Sequence, residues 1–195
     1  MKAKRIIASF AAVAVAITPV VASAASQTSN TTINATVNEV ISMTTSGTVA
    51  LTLTPTSGGV VSSASDTVTV STNRTTGYTL TLKNADTNTS LVSGSNNITA
   101  HSGTPAAPTA LTNGTWGYAI AGAPFDASYS AENSNGSSAT KWAGVPSSSG
   151  TAATLKTTAA TATNDTTTVW YAVKANSSQP NGVYSDTVTY TATTN

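Results

Sequence analysis

Val68–Leu82 reads VTVSTNRTTGYTLTL. Val68 and Val70 alternate with Thr67, Thr69 and Ser71, and Tyr78, Leu80 and Leu82 alternate with Thr79, Thr81 and Lys83. An apolar residue at every second position is the period of a strand with one buried face. The break at Thr76-Gly77 marks a turn, so the stretch predicts two strands and their connection. Threonine suits the outer face because its branched β-carbon favours extended backbone.

The same period recurs at Val49-Leu51-Leu53, Trp116-Tyr118-Ile120, Val169-Tyr171-Val173 and Val188-Tyr190. Ile33-Ala35-Val37 is expected to open the set, with Val40-Ile41 following a bulge. Turn signals separate the runs at Ser46-Gly47, Ser57-Gly58-Gly59, Ser93-Gly94, Asn113-Gly114 and Pro180-Asn181-Gly182. No amphipathic helix pattern is present. The pattern predicts an all-β fold, a single antiparallel β-sandwich of Ig-like or Greek-key type with about seven to nine strands. A closed barrel shares these cues.

The first residues carry a different signal. Lys2, Lys4 and Arg5 precede an apolar run from Ile6 to Ile17, and Ala22-Ser23-Ala24 supplies small residues for cleavage. Residues 1–24 therefore read as a signal peptide, in helical form, and the mature chain as secreted. A retained membrane anchor is the alternative. The run is short for a span and Pro19 interrupts it. The expected organisation is a polar extension over 25–32, a sandwich over 33–195, and a long Ser/Ala/Gly/Asn-rich loop at about 122–150. After cleavage no segment is expected to span a membrane.

Thr and Ser make up about a third of the chain, and charged residues only 8%. Regular alternation argues against disorder in so polar a sequence. The mature chain keeps five basic residues against seven acidic ones, so it carries a slight negative charge. It lacks the basic patch that nucleic acid requires. A surface of hydroxyls repels itself weakly, which suits a wall, coat or fibre component. Frequent N-x-S/T sequons permit glycan, but a Ser/Thr-rich chain produces many by chance. The Thr-x-Thr arrays also resemble ice-binding ladders, although sheet twist limits a long flat match.

Constellations for chemistry are sparse. His101 is the one histidine and cysteine is absent, so neither a zinc cluster nor a disulfide is expected. No G-x-S-x-G elbow accompanies His101. Asn84-x-Asp86-x-Asn88-x-Ser90 spaces oxygens as calcium loops do, but lacks the central Gly and the distal Glu, which favours a turn. Asp66 and Asp186 each precede Thr-Val-Thr, which suggests residues that start strands rather than a catalytic pair. A lysine–asparagine cross-link is disfavoured, because Lys83 and Lys174 fall opposite the apolar face. No catalytic residue, metal or cofactor is expected, and the chain reads as a non-enzyme.

Aromatic residues are the better candidates, since flat sugars bind on rings flanked by amides and hydroxyls. Trp170 is out of phase with Val169 and Tyr171 and is expected to face outward or cover a sheet edge. Phe125, Tyr129 and Trp142 lie in or beside the long loop. They either pin the loop to the sandwich or contact a ligand. The ligand-contact candidates are therefore Phe125, Tyr129, Trp142 and Trp170.

The stretch Val68–Leu82, then Leu91 and Ile98, then Pro180-x-Gly182-x-Tyr184-x-Asp186-Thr-Val-Thr-Tyr190-Thr, resembles WxL-type bacterial surface domains. Tyr78-Thr79-Leu80 and Tyr190-Thr191-Ala192 stand where that family has its two Trp-x-Leu motifs. The resemblance implies non-covalent attachment to peptidoglycan. The resulting expectation is a cell-surface sandwich partnered by cell-wall polysaccharide or other surface proteins. The alternative is a pilin-like or coat subunit that self-assembles by strand exchange through its N-terminal segment.

Overall fold

The computed structural model describes residues 25–120 and 141–195. The signal at 1–24 and most of the 122–150 loop, with Phe125 and Tyr129, lie outside the described residues. Residues 25–36 belong to one unit, Met1–Thr36, and are without a ladder and exposed throughout. Val37–Asn195 is the other unit and holds every strand among the described residues.

Nine strands and no helix occur among the described residues. They are β1 (Ile41–Thr44), β2 (Val60–Thr72), β3 (Tyr78–Asn84), β4 (Leu91–Ser93), β5 (Asn96–Ala100), β6 (Thr115–Ala119), β7 (Ala153–Thr157), β8 (Ala162–Ala175) and β9 (Val188–Thr194). One sheet has the order β1-β2-β8-β6-β5-β4, and the other β7-β3-β9. Val68 and Val70 of the first sheet and Tyr78, Leu80 and Leu82 of the second belong to one continuous core. Two sheets closing on one core is the layout of a β-sandwich.

The spine is the antiparallel pair β2–β8, in register from Val60↔Ala175 to Val70↔Asp165, with a slip before Thr72↔Ala162. A slip of one residue along most of this pair would turn Val68 and Val169 to solvent, so burial fixes the register. β3 is the centre of the second sheet, bonded to β7 on one side and β9 on the other.

Three expectations change. Ile33-Ala35-Val37 forms no strand, and Ile33 and Val37 are 88% and 84% exposed. Val49-Leu51-Leu53 is half-buried in alternation with exposed Ala50 and Thr52, but it belongs to no ladder. The sandwich is not wholly antiparallel, because β5 and β6 run parallel through Thr99↔Thr115 and Ala100↔Trp116. The long connection through His101 lets β6 run in the direction of β5, and side-chain period carries no information on direction.

Candidate functional site

The outer face of the β2–β8 pair is made of hydroxyls. Thr67 pairs with Thr168, Thr69 with Thr166, and Ser65 with Trp170. Paired residues point to the same side of a sheet, so these six form one field. Ser65, Thr67, Thr166 and Thr168 are exposed and Trp170 is half-buried. Trp170 thus presents part of an indole among hydroxyls, with no charged residue in the three pairs. Across the molecule, Thr79 aligns with Thr157 and Thr193, and Thr81 with Thr154 and Thr191. These rows give the β7-β3-β9 sheet a second hydroxyl face.

The other aromatic candidates lie elsewhere. Trp142 is 1% exposed, and its backbone exchanges hydrogen bonds with Thr109 in both directions at 3.1 Å. A ring so deeply buried presents no face to a ligand. Trp116 stacks on Tyr171 with centroids 6.4 Å apart and donates its indole N–H to Thr89 O. Phe125 and Tyr129 are outside the described residues.

Polar groups in the interior are used for support. Asp66 lies within β2, only 4% exposed, in phase with Val68 and Val70. It accepts the Ser46 N–H at 2.8 Å, and its charge helps hold up the pKa of Tyr190, whose hydroxyl meets that of Tyr171 at 2.7 Å. The reading of Asp66 as a strand-starting residue is thereby corrected, since Asp66 is a buried clamp in mid-strand. Asp186 does start a strand, accepting Thr187 N–H at 2.7 Å and the Asn84 amide at 2.5 Å. Burial pushes the Asp186 carboxyl up, against the pull of Asn84. Burial likewise pushes up the phenols of Tyr118, Tyr171 and Tyr190. None of these phenols is inclined to ionise near neutral pH.

Asp165 joins Lys156 Nζ at 2.5 Å and the Tyr78 hydroxyl at 2.8 Å. Burial raises the Asp165 pKa, but the bonds from Lys156 and Tyr78 outweigh it and hold the carboxyl below its usual range. The group ties β3, β7 and β8 together. Asn84, Asp86 and Asn88 each turn a side-chain oxygen to the backbone N–H two residues on, at 3.1, 2.8 and 3.1 Å. This is a run of three successive Asx turns. Three of the four side chains whose spacing suggested calcium turn an oxygen to the chain itself.

His101 is 6% exposed, and its Nε2 meets Thr109 Oγ1 at 2.8 Å. Its backbone packs so closely that a Cβ on Gly144 would lie 1.9 Å from His101 O. Burial lowers its pKa, partly opposed by Thr109. No carboxylate bonds to its ring among the described residues, and no group of three His, Asp or Glu side chains there is placed to hold a metal. Comparison with protein-family models, curated proteins and solved structures found no match.

Proposed function

We propose that the chain is an exported, non-enzymatic surface protein, a sandwich of Ig-like Greek-key type that grips cell-wall polysaccharide without a covalent link. One observation carries the reading: Trp170, packed in part against the core, stands half-buried among Ser65, Thr67, Thr69, Thr166 and Thr168. An indole face with neighbouring hydroxyls matches a sugar ring, which is apolar on its faces and polar at its rim. Weak contacts of this kind gain strength when repeated along a polymer. The Greek-key assignment is favoured by neighbours distant in sequence, β2 with β8 and β3 with β9. The export signal and the WxL resemblance support the same location.

The test is retention on purified peptidoglycan sacculi. Trp170→Ala is expected to reduce retention several-fold. Thr168→Glu, which places a charge on the exposed hydroxyl face, is expected to do the same with melting unchanged. If the unaltered protein stays in the supernatant, or both variants are retained equally with it, the reading is wrong.

A further inference from the structure

One edge of the sandwich is covered less well than the rest. β9 has a ladder on one side only among the described residues, with β3. Its inward residues Val188, Tyr190 and Ala192 are half-buried, whereas Tyr78, Leu80 and Leu82 of β3 are fully buried. β1 is in contact with β9, and its inward Ile41 and Met43 are also half-buried. Beyond β1, Ser46 donates its N–H to the buried Asp66 of β2, which ties the start of the next stretch to the first sheet. That stretch, Thr48–Thr54, turns Val49, Leu51 and Leu53 to the core, yet no backbone hydrogen bond holds it among the described residues. The edge therefore combines apolar side chains in partial contact with water and backbone groups without a ladder. Both are satisfied by adding a strand.

The chain also carries a strand in search of a sheet. Ile33, Ala35 and Val37 alternate with Asn34 and Thr36, are exposed, and belong to no ladder. Five extended residues span roughly 17 Å, within the roughly 24 Å of a seven-residue strand such as β9. Neither Thr31–Asn38 nor Val188–Thr194 contains a charged residue, so no like charges within the two segments oppose their pairing.

We propose that the chain self-associates by strand addition: Ile33–Val37 of one copy pairs along the free edge of β9 in a second copy, with its apolar residues covering the strip at Tyr190 and Ala192. Donor and acceptor are different surfaces, so the contact is head-to-tail and can propagate into a filament. The inference is independent of wall binding, which uses the β2–β8 face.

The test is complementation, read by sedimentation velocity and negative-stain microscopy on the exported protein. Unaltered protein is expected to form oligomers that grow with concentration. The donor variant Ile33→Asp/Val37→Asp and the acceptor variant Ala192→Lys are each expected to be monomeric, with cooperative melting retained. Mixed, they are expected to yield one-to-one dimers and nothing larger, because one intact donor meets one intact acceptor. Unaltered protein that stays monomeric at high concentration overturns the proposal. So does a donor variant that still polymerises, or a mixture that forms no dimer from two folded variants.

Discussion

Ile33–Val37 and Tyr78–Leu82 are written in the same pattern and meet opposite fates. INATV belongs to no ladder and is exposed, whereas YTLTL is bonded on both sides and its three apolar residues are wholly buried. Val49–Leu53 stands between them, with side chains half-buried and no ladder. Alternation states which side chains can share a face. It does not state whether a second layer and a neighbouring strand are there to meet them. The gradient runs from a strand with both, through a stretch with the core alone, to a segment with neither.

The sharpest way to break this comparison is to shorten one residue at each end of it. Leu80→Ala removes a fully buried side chain from the centre of β3 and leaves a cavity between the sheets. It is expected to cost about 2–5 kcal/mol in urea denaturation. Ile33→Ala is expected to shift the same curve by less than about 0.5 kcal/mol, as surface changes do. A comparable loss at Ile33 in dilute monomer would mean that the segment belongs to its own fold, which would also remove the donor of the proposed assembly.

The turns give a second, smaller contrast. Gly77 leads into β3 with φ of 82°, and a Cβ there would lie 2.5 Å from Thr158 O. Gly47 follows β1 with φ of 77° and nothing within 4 Å. Both glycines adopt a backbone that other residues resist, but only Gly77 is also crowded. Gly77→Ala is expected to cost about 2–3 kcal/mol and Gly47→Ala about 1 kcal/mol. Equal losses would show that the stretch after β1 is held as firmly as β3.

Much of this layout is legible in the sequence, and the illegible parts have physical reasons. The long strands β2 and β8 announce themselves because their partners bury one face over many residues. β7 does not, since Ala153-Thr154-Leu155 offers a single large apolar side chain to reveal the period. The parallel pairing of β5 and β6 is hidden because alternation has no polarity. Asp66 was within reach: it is in step with Val68 and Val70, so the period that buries the valines buries the carboxylate too. Trp170 is legible by the converse argument, being out of step with Val169 and Tyr171. The burial of Trp142 was not, because it depends on a bridge to Thr109, a contact that no local pattern encodes.

Acid separates the covered part of the molecule from its open edge by the smallest of these effects. His101 is buried beside β6, its ring meeting Thr109 and no charged group among the described residues. Burial disfavours the imidazolium, so the folded protein holds this proton less tightly than the unfolded chain, whose histidine titrates near 6.5. Below about pH 6.5 the unfolded state binds more protons, and stability must fall as the solution is acidified. Asp165 adds nothing in that range, because its pKa is lowered from an ordinary value already far below it. Glu39, exposed just before β1, also titrates lower, through Thr194 first and then its pairing with Arg74. Melting temperature is therefore expected to decline between pH 7.5 and pH 5, and His101→Gln to flatten that decline while retaining a polar contact to Thr109. The I33D/V37D variant should keep the slope, because its two new carboxylates sit at exposed positions and stay ionised throughout that range. A slope that survives His101→Gln would place the acid-sensitive group elsewhere and remove His101 from the firmly packed side of the contrast.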